Sequence, residues 1–129
     1  MENIKLTREK LKKEAEDLLG QNPDQMTDVV AIFDTDLNYV YANGIGSKLL
    51  RKQIDELEGS NLLHLFPQLT ASVSHRHLLA ALSGKGALNA ASEGNITKDG
   101  AKFLSDYYPL KDKEQVYAVL VVTRLIYYP

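Results

Sequence analysis

Two segments of the chain are apolar at both odd and even positions, and this feature constrains the fold more than any other. They are residues 29–33 (Val-Val-Ala-Ile-Phe) and 116–122 (Val-Tyr-Ala-Val-Leu-Val-Val). Both are rich in residues that favour strands. A strand exposed on one face alternates apolar and polar residues, whereas a strand that is apolar on both faces is covered on both. The two segments therefore predict neighbouring central strands, although they lie far apart in the sequence.

The other elements follow from the hydrophobic period and from turn residues. In chain order we predict a helix, two strands, several short helices, a longer helix and three strands, over residues 4–19, 29–33, 39–42, 43–51, 54–66, 71–82, 86–97, 103–110 and 116–126. Asp34 and Asp36 mark a hairpin turn after the first strand, and Asp99-Gly100 marks another turn. Three consecutive strands joined by short turns pair antiparallel, which predicts an α+β fold.

Length and charge limit the function. The chain has 129 residues, which suits one domain, and we divide it into a flanking helix at residues 1–23 and the domain proper at residues 24–129. The formal net charge of −2 argues against nucleic-acid binding, which needs a basic face for phosphates. No stretch is apolar enough for a membrane span, and the N-terminus is charged. We therefore expect a cytoplasmic segment that contacts neither nucleic acid nor membrane.

The N-terminal helix carries one apolar stripe. Its members are Ile4, Leu11, Ala15, Leu18 and Leu19, and charges fill the other faces. An isolated helix of this length is marginal in water, so the stripe must lie against another surface. That surface is the body of the domain, a partner helix or both. We predict that these five residues form a homodimer interface.

Several short motifs occur in series between about residues 27 and 126. In chain order they are Val30-Ala31-Ile32-Phe33-Asp34, Asp36-Leu37, Tyr41-Ala42-Asn43, Glu58-Gly59, Leu65-Phe66-Pro67, Asp99-Gly100, Tyr108-Pro109-Leu110-Lys111-Asp112 and Val119-Leu120-Val121-Val122-Thr123. Together they resemble PAS domains, the sensory domains of bacterial signalling proteins. The resemblance implies a five-stranded antiparallel sheet of strand order 2-1-5-4-3, with helices on one face and an N-terminal amphipathic helix. The first and fifth strands of that sheet are central, in agreement with the two apolar segments.

The resemblance also implies a function. PAS domains act as signal-transduction modules of larger proteins, here a histidine kinase of a two-component system or a transcription regulator, and bind a small ligand or a partner to control an output domain. Many hold the ligand between sheet and helices. The residues expected to line such a pocket are Phe33, Leu62, Leu78, Leu82, Phe103, Tyr107 and Leu120. Because these side chains offer few charges, we expect an apolar or weakly polar ligand.

Cofactors are constrained by the absence of cysteine from the chain. It excludes the flavin–cysteine adduct and the cysteine-linked chromophore of photosensory PAS domains. In haem-binding members a histidine on the long helix ligates iron, so His75 or His77 would each be a haem-ligand candidate, although a solvent-facing side chain is the better interpretation of both. Their i,i+2 spacing places them on different helix faces, so they do not predict a shared metal site.

The sequence shows no recognisable catalytic constellation, and we expect no enzyme activity. The alternative is a small α+β enzyme, or a carrier of a lipid or other small molecule, that uses the cavity between sheet and helices. It would need a buried ionisable group there, and Asp106 and His64 are the nearest candidates. A dimerisation module without a ligand is also compatible with the sequence.

Overall fold

The computed structural model describes residues 7–93 and 100–129. The helices of this part are α1 (Arg8–Leu19), α2 (Gly44–Leu50), α3 (Ile54–Leu57), α4 (Leu62–Leu65) and α5 (Val73–Leu82). The strands are β1 (Val29–Asp34), β2 (Tyr39–Ala42), β3 (Ala87–Glu93), β4 (Lys102–Asp112) and β5 (Gln115–Tyr127). Three parts of the sequence-based predictions lie outside the described residues: Ile4, strand residues 94–97 and Asp99 of the second turn.

The five strands form one antiparallel sheet of order β2-β1-β5-β4-β3. The two apolar segments are β1 and the first part of β5, and both are central. They pair directly with each other, for example Ala31 with Val121 and Phe33 with Val119. The predicted α+β class, strand order and neighbouring central strands are confirmed.

Each face of the central strands contributes to a separate core. Phe33 and Val119 pack with residues of the helices between β2 and β3, such as Leu57. Their neighbours along the strands, Ile32 and Leu120, point to the opposite face and pack with Leu11 of α1. Because successive side chains of a strand alternate between faces, the two layers explain why both segments are apolar at every position.

Helix α1 covers the outer face of the sheet, the face that α2 to α5 do not cover. Thr7 caps its first turn by accepting a hydrogen bond from the Lys10 N–H at 3.1 Å, and Gly20 ends it with φ 74°, a conformation that glycine adopts without steric cost. Leu11 and Ala15 are fully buried against the sheet. The chain itself therefore supplies a surface for the apolar stripe.

Polar contacts fix the position of α1. The Arg8 Nε–H donates to both carboxylate oxygens of Glu58, at 2.8 and 2.9 Å, and the guanidinium lies over the Tyr41 ring, 4.8 Å from its centre. Lys12 pairs with Asp24 at 2.5 Å. These contacts join the helix to α3, to β2 and to the segment before β1.

A close backbone approach at Gly86 sets the start of β3. A Cβ there would lie 2.8 Å from the Tyr107 carbonyl oxygen and 3.0 Å from Cδ of Pro109. We expect Gly86→Ala to lower the free energy of unfolding in urea by about 1–3 kcal/mol, because the strand must shift to relieve the overlap. Gly44→Ala is the control: nothing lies within 4 Å of a Cβ at this position, and alanine favours the helix. Equal stability of the two variants would contradict the close approach.

Candidate functional site

A cavity of about 150 Å³ lies between the sheet and the helices. Its floor is the helix-facing side of β1, β5 and β4, and its roof comes from α2, α4 and α5. The apolar walls include Ala31, Phe33, Leu50, Leu62, Leu78, Phe103 and Val121. A protein cavity of this size, when lined by apolar side chains, holds a molecule as large as benzene. The site therefore has room for a small ring-sized ligand.

The structure places five of the seven predicted pocket residues on this cavity: Phe33, Leu62, Leu78, Phe103 and Tyr107. Whether they bind a ligand stays a prediction. The placement of the other two was wrong. Leu120 points to the outer face and packs in the cluster that contains Leu11, whereas Val121 takes the inward position. Leu82 packs against the helix-side core without reaching the cavity.

A cluster of hydroxyl groups lies on the β4–β5 side of the cavity. The Ser105 and Thr123 hydroxyl oxygens are 2.8 Å apart and share a hydrogen bond. Burial raises the pKa of Tyr107, and hydrogen bonding to the Ser74 and Ser105 side chains partly offsets this rise. All four residues line the cavity, and within this group the Ser105 and Thr123 hydroxyls are hydrogen-bonded to each other.

Tyr39 brings a different polar group to the cavity wall from β2. Its side chain is 5% exposed, and the ring packs on Phe33 with the ring centres 4.5 Å apart. Its hydroxyl makes no hydrogen bond to any residue of the described ranges 7–93 and 100–129. Burial alone raises the pKa of Tyr39 far above its ordinary value, so the hydroxyl is neutral and retains its proton for donation.

Comparison with known proteins identifies the fold family. A sequence profile described as the PAS fold matches residues 23–126. The chain belongs to the PAS family. A search of curated protein sequences finds no match.

Solved structures agree with this assignment at the level of the fold. The PAS domain superimposes on a sensory box sensor histidine kinase from Vibrio cholerae with TM-score 0.67 and 17% identity, over 94% of this chain and 99% of that one. The PAS domain of nitrogen regulation protein NR(II) from Vibrio parahaemolyticus gives TM-score 0.58 and 18% identity, over 81% and 94%. A structure of VqmA bound to DPO gives 0.63 and 14%, over 88% of this chain and 57% of that one.

The ionisable candidates of the alternative function do not line the cavity of the PAS domain. Asp106 lies on the other face of the sheet, where Arg124 donates to its carboxylate at 2.8 Å. This guanidinium holds the pKa of Asp106 below its ordinary value, against the opposing effect of burial. His64 is exposed on α4. Of the charged residues in the described ranges, only Glu93 is on the cavity rim, and its side chain is exposed.

The two candidate haem ligands also stay outside the cavity. His75 Nδ1 accepts a hydrogen bond from the Ala71 N–H at 2.9 Å. One of its ring nitrogens is therefore already hydrogen-bonded to the backbone just before α5. His77 stacks on Tyr107, with ring centres 5.1 Å apart and planes inclined by 20°, and so lies behind the cavity wall. The structure brings neither imidazole to a position from which it faces the cavity.

The predicted dimer stripe divides between buried and exposed positions. Leu11 and Ala15 are buried within the single chain, Leu19 is half-buried, and Leu18 is 48% exposed. Among the four stripe residues that the structure describes, Leu18 offers most surface to a partner. None of the helices in the described part of the PAS domain is long and apolar enough to cross a membrane.

The cavity residues missed by the sequence analysis include five that bear a hydroxyl group: Tyr39, Ser74, Ser92, Ser105 and Thr123. A signal for one of them is present in a strand. Ser105 lies between Phe103 and Tyr107 at alternate positions, so it faces the same side as two predicted pocket residues. A small hydroxyl at an inward position of an apolar strand indicates a polar point in a pocket.

Proposed function

We propose that this PAS domain is the sensory module of a larger signalling protein, and that it binds a small, mostly apolar ligand in the cavity between sheet and helices. The observation that carries the proposal is the position of the cavity. Its walls come from two layers, with Phe33 and Val121 on the sheet and Leu62 and Leu78 on the helices. A ligand there contacts both layers, and it favours the arrangement in which those contacts are best.

The solved structures support this proposal by analogy. The related folds include domains of sensor histidine kinases and VqmA, whose structure was determined with DPO bound. We propose the same kind of role here: occupancy of the cavity shifts the packing of the sheet against its helices, and an attached kinase or regulator responds. Homodimerisation through the exposed part of α1 belongs to the same proposal.

Ligand binding is tested with the purified protein and two cavity-filling variants. Val121→Phe fills the cavity from the sheet and Ser74→Leu fills it from α5. We expect native mass spectrometry of the wild type to show a bound small molecule, or NMR titration with toluene to shift the cavity residues, and we expect both signals to be lost in the variants. Leu88→Phe, at a residue 65% exposed on β3, is the control that retains binding. A clean apo mass together with no response to toluene would contradict the proposal.

A further inference from the structure

The Tyr39 hydroxyl is a cavity group that makes no hydrogen bond to any described residue. The side chain is 5% exposed, lines the cavity and has no hydrogen-bond partner among the described residues. A ligand that displaces water from this hydroxyl without pairing with it binds less favourably, by about 1–3 kcal/mol, than one that forms the hydrogen bond. A phenylalanine would keep the ring contact with Phe33 and avoid this cost. The hydroxyl is therefore a group that a ligand can satisfy.

The rest of the lining determines the charge of that ligand. The other hydroxyl-bearing members, Ser74, Ser92, Ser105, Tyr107 and Thr123, are neutral, and Ser105 and Thr123 hydrogen-bond to each other. Among the described residues the lining contains no cation, and its carboxylate, Glu93, is exposed at the rim. A buried ion without a partner of opposite charge is strongly disfavoured. Both a carboxylate and an ammonium group would lack such a partner inside.

We infer that the cavity selects an uncharged, ring-sized molecule of about six to ten non-hydrogen atoms that carries a polar atom hydrogen-bonded to the Tyr39 hydroxyl. This inference rests on the proposed function, because it names the class of ligand that the same cavity takes. Its apolar body contacts Phe33, Leu62 and Leu78, and its polar atom meets Tyr39. Simple phenols and neutral nitrogen heterocycles have this chemistry.

The selectivity follows from the cost of leaving the hydroxyl unpaired. A molecule of the right shape without a polar atom fills the apolar part and leaves Tyr39 unsatisfied. A site built to hydrogen-bond a ligand discriminates against the analogue that lacks the bonding group. The polar molecule is therefore favoured over its hydrocarbon counterpart, although the walls are mainly apolar.

The experiment compares four probes that share one aromatic ring: phenol, toluene, benzoate and benzylamine. Their affinities are measured by NMR titration for the wild type, Tyr39→Phe and Tyr107→Phe. We expect phenol to bind the wild type about tenfold more tightly than it binds Tyr39→Phe, the effect of one hydrogen bond. Toluene should bind these two proteins equally, and benzoate and benzylamine should bind neither. Tyr107→Phe is the matched control, because it removes a hydroxyl from another position of the same cavity.

The outcomes separate this inference from the proposed function. If toluene and phenol both fail to bind the wild type, the cavity is not a ligand site and both proposals are wrong. If toluene binds but phenol gains nothing from Tyr39, or if benzoate binds as well as phenol, the ligand class is wrong and the ligand site stands. Should Tyr39→Phe fail to fold, NMR contacts between phenol and the Tyr39 ring in the wild type decide: their presence supports the inference and their absence overturns it.

Discussion

Replacing Asn43 with alanine is expected to lower the free energy of unfolding by about 3–5 kcal/mol. The side chain is 1% exposed and joins three segments. Its Oδ1 accepts hydrogen bonds from the N–H groups of Val30, at 3.0 Å, and Gly46, at 3.2 Å. Its Nδ2 donates to the carbonyls of Pro23, at 3.1 Å, and Asp28, at 2.8 Å. Alanine would leave these backbone groups without their partner in the interior.

Asn61 provides a matched control for this prediction. It also makes four hydrogen bonds and caps a helix, α4, as Asn43 caps α2. Because Asn61 is only half-buried, water can replace the lost partner, and we expect Asn61→Ala to cost about 1 kcal/mol. Urea unfolding of the two variants measures the difference. Equal losses would show that burial does not determine the importance of Asn43.

The fold was predictable because its strongest constraint is local and repeated. Residues 29–33 and 116–122 are apolar at every position, which requires cover on both faces whatever the rest of the chain does. The hairpin turn between β1 and β2 was equally predictable from the sequence. The Asp34 carboxylate accepts hydrogen bonds from the N–H groups of Asp36 and Asn38, both at 2.9 Å, which is the local bonding that makes aspartate favour turns.

The same feature explains why the cavity could be predicted only in part. A segment that is apolar at every position does not show which parity points inward, so Leu120 and Val121 were equivalent in the sequence. Their assignment depends on the strand pairing, in which Val121 lies opposite Ala31 and Leu120 opposite Ile32. That register is a long-range property, and no local pattern contains it.

The partner of the α1 stripe could not be chosen from the sequence either. An apolar stripe flanked by charges is the same whether the helix packs on its own sheet or on a second chain. The contacts that decide are distant ones, such as Arg8 with Glu58 and the hydrogen bond from the Tyr117 hydroxyl to Glu14. Each joins residues whose relation becomes visible only when the sheet has formed.

Leu11→Glu and Leu18→Glu are expected to affect different properties, the first the stability of the fold and the second the association of two chains. Both place a carboxylate on the same helix, seven residues apart. Leu11 is fully buried against the sheet, so its replacement removes a packed side chain and forces a charge into an apolar layer. We expect this variant to lose about 3–5 kcal/mol of unfolding free energy, or the docking of α1. Urea unfolding and the helical signal in circular dichroism measure the two effects. Wild-type stability together with wild-type helicity would contradict the observed packing.

Leu18→Glu tests the dimer. The Leu18 side chain is 48% exposed, so water already reaches it. The substitution should therefore change the unfolding free energy by no more than about 0.5 kcal/mol. If two copies associate through the exposed part of α1, the new carboxylates face each other across a desolvated contact, and light scattering should show half the wild-type mass. A wild type that is already monomeric, or a Leu18→Glu dimer, would exclude this surface as the interface. Leu11 is covered by its own chain, so a change in mass that only Leu11→Glu causes would report the loss of α1 docking. The Leu18 variant is therefore the one that separates association from folding.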